Sequence, residues 1–169
     1  AEIMEQFYTR FPAHEKAFDL LKNATQIRLS LDDQPSADTD LQLLITNGMS
    51  EDRSFAHQAR MEMLFQHHDF SALTVAIQEA ESDNSTWILP PYYRGLVAFE
   101  EHRQEEALSA LNQAARGIAR GDVEEDAQAH AAFILSQNEQ LNFDALSFSD
   151  PANAEAVLQN KLAMLAKLE

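Results

Sequence analysis

A chain of 169 residues is long enough to bury a sizeable core, and 45% hydrophobic with 24% charged side chains is ordinary for a globular fold. Twenty-eight acidic against twelve basic residues leave a formal charge of −16, which repels phosphate backbones and anionic lipid, so neither nucleic acid nor a membrane surface is an expected partner. There is no cysteine, which removes disulfides, thiolate catalysis and cysteine-ligated zinc together, and four glycines and five prolines in this length favour an all-helical chain.

Residues 1 to 10 read as a short first helix with Ile3, Met4, Phe7 and Tyr8 inward, ended by the Phe11-Pro12 step. From Pro12, the positions Ala17, Leu20, Leu21, Ala24, Ile27 and Leu31 keep helical spacing, which predicts a helix ending near Leu31. The following DDQPSADTD has loop composition, and Asp38 or Thr39 is the expected cap of a short helix carrying Leu41, Leu44 and Ile45 and stopping at Asn47-Gly48.

Ser50 is the expected cap of the next stretch, in which a period of 34 residues appears. Phe55, Leu89 and Val123 share one column, Phe65, Phe99 and Phe133 another, Leu64, Ala98 and Ala132 a third, and Met61, Gly95 and Ala129 a fourth. In the second helix of each pair Leu73, Ala107 and Leu141 align, as do Ile77, Leu111 and Ala145, then Ala80, Ala114 and Phe148. His68 and His102 fall in one column between paired helices, and Asp83 to Thr86 separates the first pair from the second. Asp122 with Glu125 reads as a capping box for the third copy. After Asn138 the pattern thins. Asp150-Pro151 then reads as a cap and first-turn proline opening a last helix, with Leu158, Leu162, Leu165 and Leu168 as its apolar stripe and Val157 beside them.

The central copy, PPYYRGLVAFEEHRQEEALSALNQA from Pro90 to Ala114, is the sharpest. Gly95 and Ala107 let two helices approach closely and Leu111 fills the gap between them, which is the G, A, x3, large-apolar spacing of a helix-turn-helix repeat. On these residues the stretch from about Ser54 to Asn138 resembles a tetratricopeptide repeat array. The expected fold is therefore all-α: one domain of stacked antiparallel helix hairpins, with N-terminal helices over 1–49, repeats over 50–148 and a capping helix over 151–168. A terminal helix is what an array needs, since its last repeat has no neighbour to cover its apolar face.

The resemblance implies a right-handed superhelix whose first helices line a concave groove that holds a peptide or helix of another protein. On that register the groove-facing columns are Phe55, Leu89 and Val123; Gln58, Tyr92 and Asp126; Glu62, Leu96 and His130; and Phe65, Phe99 and Phe133. The partner-binding residues carried forward are Phe65, Leu89, Tyr92, Leu96, Phe99, Asp126, His130 and Phe133. The phenylalanine column has two readings, core packing or groove lining, and the leucine-rich last helix is either a cap or a plug lying in the groove.

Chemistry is otherwise sparse. No HExxH, glycine-rich phosphate loop, GxSxG or dinucleotide fingerprint occurs, and no metal, cofactor or catalytic set is expected. His67-His68-Asp69 sits where a helix should end, a position that suits histidine without any metal. His14, His57 and His102 are lone residues on helical faces, and the acidic pairs Glu100-Glu101 and Glu105-Glu106 sit at helix termini. No run is apolar enough for a transmembrane helix, and the first residue is Ala1, which points to a processed or excised piece. The lack of cysteine leaves the compartment open, with cytoplasm slightly favoured over periplasm. The expected function is a non-enzymatic protein-interaction module or adaptor whose acidic surface favours a partner with Lys or Arg around an apolar motif. Small acidic all-helical repeat proteins also resemble the type III translocator chaperones, which cradle a segment of an exported protein. A sensory or regulatory domain of a larger receptor or transcription regulator, or an enzyme with an unrecognised helical site, are the rivals from other classes.

Overall fold

The computed structural model describes residues 1–145 and 154–168, and among these all regular structure is α-helical. The chain divides into two compact units, Ala1–Ser85 and Thr86–Glu169, with the boundary in the linker after the first repeat. The first unit holds α1 (Glu2–Arg10), α2 (Ala17–Ser30), α3 (Gln34–Asn47), α4 (Ser50–Gln66) and α5 (Phe70–Asp83). The second holds α6 (Leu89–Glu100), α7 (Gln104–Arg116), α8 (Asp122–Ala145) and α9 (Ala154–Leu168). The expected packing of the Ala145 side chain, Phe148, the expected Asp150-Pro151 cap and the Leu165 and Leu168 side chains lie outside the described residues.

Unit 1 is a run of helices each packed on the one before it, with α2 also touching α4. Its core is built from Ala17, Leu21 and Ala24 of α2, Ala37, Leu41 and Leu44 of α3, Met61, Met63 and Leu64 of α4, and Leu73, Ile77 and Ala80 of α5, all buried. Two boundaries differ from the periodicity. The Pro12–Lys16 stretch is a turn, tied by His14 N–H to the Phe11 carbonyl at 3.0 Å and Ala17 N–H to that of His14 at 2.9 Å, so α2 starts five residues later than expected. The segment read as a long loop is the first half of α3: Asp33, not Asp38 or Thr39, is the cap, accepting from Ser36 N–H, and Pro35 sits in the first turn, where its missing N–H costs nothing. Ser50 is the first residue of α4 and not its cap, which is Met49; there the Asp52 carboxylate accepts the Met49 N–H at 3.1 Å and receives Lys22 of α2 at 2.7 Å.

The hairpins α2–α3, α4–α5 and α6–α7 share one joint. Asp32, His68 and His102 are left-handed, with φ of 59°, 56° and 60°. Around each, the left-handed residue's N–H bonds the carbonyl three back (Leu29, Phe65, Phe99) and the next residue's N–H bonds the carbonyl five back (Arg28, Leu64, Ala98), at 2.8–3.1 Å. This is the Schellman closure of a helix C-terminus, and it turns the chain straight into the next helix. The hairpin repeat thus begins one pair earlier than its apolar columns suggested.

In unit 2, α6 and α7 form the most extensive helix–helix interface, and α8 packs against both. A Cβ built at Gly95 would lie 2.7 Å from Leu111 Cγ and 3.2 Å from Leu111 N, so the glycine sets the close approach of the two helices. Leu111, Ala107 and Ala114 are fully buried behind it.

The third hairpin is not formed where the period placed it. Ser136, the position equivalent to His68 and His102, lies inside α8, which runs unbroken to Ala145. Ala129, Ala132 and Leu141, whose counterparts in the first two copies are buried, are exposed, because among the described residues no paired second helix covers that face. The buried face of α8 is instead that of Ala127 and Ala131. The start of α8 also differs: Asp122 is its first residue, and Glu124 takes up the Arg120 N–H at 3.1 Å. α9 packs against α8, with Lys161 Nζ 4.3 Å from the centre of the Phe143 ring. Leu158 and Leu162 are exposed, and among the described side chains of α9 the half-buried ones are Val157 and Lys161.

Candidate functional site

Seven of the eight residues expected to meet a partner fall on two helices of unit 2, α6 and α8. Tyr92, Leu96 and Phe99 follow each other along α6 at four- and three-residue steps, and Asp126, His130 and Phe133 do the same along α8, so each trio occupies one helical stripe. Gly95, next to Tyr92 and Phe99 on the surface of α6, holds that helix against α7. α8 is fastened at its start and again at Asn138. At its N-terminus Glu124 accepts from the Trp87 indole at 2.9 Å as well as from Arg120 N–H, and the Arg120 guanidinium reaches Thr86 Oγ1 at 3.0 Å. One turn on, Gln128 Nε2 donates to the Ala115 and Gly117 carbonyls at 3.0 and 2.8 Å, satisfying the end of α7. Farther along, Gln104 Nε2 donates to Asn138 Oδ1 at 3.0 Å.

This fastening brings Tyr92 to His130. The phenol oxygen lies 2.8 Å from His130 Nδ1 and the rings stand edge to face, 5.9 Å apart, with Tyr93 a further 5.3 Å from Tyr92. Beneath them Tyr92 and Phe99 rest on the buried cluster of Leu111, Ala114 and Ala131. The phenylalanine column therefore splits: Phe99 is half core, whereas Phe133 is 56% exposed. α9 does not cover Phe133, and the plug reading has no support among the described residues. The surrounding surface is acidic, with Glu100, Glu101, Glu125 and Asp126 exposed, while Arg103 is paired with Glu101 and Glu106 and Arg94 donates to Gln113 Oε1 at 2.9 Å.

Two members of the expected set do not belong to that strip. Leu89 is 2% exposed, enclosed with Trp87, Ile88, Pro90 and Pro91 at the start of α6, so it is core and cannot meet a partner. Phe65 belongs to unit 1, half-buried with its ring 6.1 Å from Phe70. The positioning residues Glu124 and Gln128 were not singled out by sequence; nothing local marks the bonds from Trp87 to Glu124 and from Gln128 to Ala115 and Gly117, which span eleven to thirty-seven residues.

Among the described residues no three His, Asp or Glu side chains are grouped to hold a metal ion, and no helix is long and apolar enough to cross a membrane. What the α6–α8 face offers is an aromatic and imidazole strip on a rigid three-helix support, rimmed by carboxylates. No protein-family model, curated protein or solved structure matches this chain.

Proposed function

We propose that the protein is a non-enzymatic interaction module of tetratricopeptide type, whose α6–α8 face binds a helix or extended segment of another protein. One observation carries the reading: Phe133 stands 56% exposed on α8 in the same unit as the Tyr92–His130 pair and Phe99. A partner that covers such a ring gains roughly 1.5–3 kcal/mol from the buried apolar surface, and the edges of Tyr92 and His130 give the contact direction. The acidic rim and the formal charge of −16 select for a segment with Lys or Arg flanking its apolar residues and speed its approach.

The repeat assignment rests on recurrence of tertiary detail, not only of composition. His68 and His102, 34 residues apart, make the same left-handed joint. Arg60 of α4 donates to Glu79 of α5 at 2.6 Å, and Arg94 of α6, again 34 residues on, donates to Gln113 of α7 at 2.9 Å. The test is capture of partners from the source cell, followed by calorimetric titration of each partner segment against the unmodified protein and Phe133→Ala. Affinity is expected to drop at least tenfold with the melting temperature unchanged. Equal affinity of both proteins for every partner would remove the α6–α8 face from the proposal.

A further inference from the structure

Unit 1 contains a carboxyl group that the binding reading does not use. Asp40, in the middle of α3, is 5% exposed, and its Oδ2 receives no hydrogen bond. Its neighbours explain why. Arg28 of α2 commits Nε and Nη2 to the two oxygens of Glu5 on α1, at 2.9 and 3.1 Å, and Nη1 to Asp33 at 2.9 Å. Three of the five N–H donors of this guanidinium thus go to two other carboxylates, and none is given to Asp40 Oδ2. The group within hydrogen-bonding reach of Asp40 is the Glu5 carboxylate itself. Two carboxylates can only repel and accept, whereas a carboxylic acid beside a carboxylate donates a short, charge-assisted hydrogen bond.

We propose that Asp40 and Glu5 share one proton between α3 and α1, and that this proton makes the docking of α1 a pH-sensitive clasp, closed in mildly acidic solution and eased as the proton leaves. With the proton in place Glu5 is held twice, by the Arg28 fork and by the Asp40 hydroxyl. Without it, three carboxylates crowd one cation, and withdrawal of α1 relieves both the repulsion and the dehydration of Asp40. The remaining hold on α1 is apolar, chiefly Tyr8 edge-on to Phe18 with ring centres 5.5 Å apart. Other charged groups near the clasp point away: Glu2 and Arg10 of α1 are exposed, and exposed His14 packs on Phe7 toward the C-terminal end of α1. On α4, Arg60 is taken by Asp38 and Glu79, Asp52 by Lys22, and Arg53 and His57 face Asp83.

Burial and then the charge of Glu5 push the Asp40 carboxyl up to about 6, against the opposing pull of Arg28. An acid whose folded value is raised contributes stability that is full below the unfolded value, near 3.9, and is lost as pH rises through about 6. His57 runs the other way, since its burial favours the neutral imidazole, so the reading is made as a difference from Asp40→Asn, which removes the carboxyl alone.

The experiment is a carbon-13 titration of the Asp40 carboxyl in the intact chain, with hydrogen exchange of the α1 amides in the unmodified protein, Asp40→Asn and Glu5→Gln. An Asp40 midpoint near 6 is expected, together with α1 protection that falls, relative to Asp40→Asn, roughly thirtyfold between about pH 4.5 and 7.5. Glu5→Gln should lower the midpoint. A midpoint near 4, α1 exchange that follows the same pH course with and without Asp40, or a midpoint unmoved by Glu5→Gln would each overturn the clasp. Should Asp40→Asn fail to fold, the titration of the unmodified chain and of Glu5→Gln decides alone.

Discussion

The α4–α5 hairpin of unit 1 and the α6–α7 hairpin of unit 2 turn through the same left-handed joint, yet they fill the space between their helices differently. In α4–α5 the close-approach position is Met61, opposite Leu73 and Ile77, and one flank carries the buried or nearly buried polar groups His57 and Arg60. In α6–α7 that position is Gly95, with Leu111 driven into it, and among the described residues unit 2 buries no charged side chain. A shared turn therefore does not impose a shared interface. The joint sets where the second helix begins, and the residue in the close-approach column sets how near it comes.

Exchanging that residue should break the comparison most sharply. Met61→Gly removes a fully buried side chain and puts glycine inside a helix, and is expected to cost about 4 kcal/mol in urea unfolding. Gly95→Ala, which in an open helix would stabilise by up to about 1 kcal/mol, is expected here to cost about 1–2 kcal/mol, because Leu111 Cγ and its backbone nitrogen cannot both give way. A neutral Gly95→Ala would mean that α6 and α7 have room to spare. The phenylalanine column comes next. Phe99→Ala should cost about 2–3 kcal/mol, since the ring roofs the Leu111–Ala114–Ala131 cluster, whereas exposed Phe133→Ala should stay within about 0.5 kcal/mol. Equal costs at the two positions would contradict the environments described for them.

These pairs also show what sequence could and could not reveal. Gly95, Ala107 and Leu111 were legible because close packing of two neighbouring helices writes itself into local spacing. The third hairpin was misread because Ala129, Ala132 and Leu141 keep the columns apolar while Ser136-Gln137-Asn138 lacks a residue that forces a helix to stop; small apolar side chains suit a solvent-facing helix as well as a buried one. Pro35 misled in the opposite direction, since proline reads as a breaker and here occupies the one turn of α3 that tolerates it. On the candidate face, a register of 34 put Tyr92 and His130 on adjoining stripes, and their 2.8 Å contact follows from that register. Burial of Leu89 does not, because the enclosure it shares with Trp87, Ile88 and both prolines at the start of α6 is set by tertiary packing and not by a column. The proton shared by Asp40 and Glu5 was invisible for the same reason: three helices must meet before those side chains do.

A smaller effect separates the two repeated arginines. Arg60 is buried among Asp38, Glu79 and, with its amide oriented to accept, Gln42, so Arg60→Ala should cost about 2 kcal/mol, much of it from acceptors left without a donor. Arg94 makes its counterpart bond to a neutral glutamine at the surface, and Arg94→Ala should cost about 0.5 kcal/mol. Paired denaturation curves read the ratio directly. If Arg94 proved as costly as Arg60, charge on the acceptor and burial would not be what distinguishes the two bonds.

The joint itself offers the finest test, because there the two units are expected to behave alike. His68 and His102 hold left-handed backbone at φ of 56° and 60°, a conformation that costs a residue with a Cβ roughly 1 kcal/mol and glycine almost nothing. Glycine loses part of that advantage through the greater freedom of its unfolded chain, so His68→Gly and His102→Gly should each stabilise by about 0.5 kcal/mol. The His68 ring stands edge-on to Phe70 at 5.6 Å, a contact that glycine removes, so the gain at His68 should be the smaller of the two. Loss of stability at both positions would show that the imidazoles, and not the backbone, hold these turns, and the equivalence of the two hairpins would then rest on the side chains at their corners.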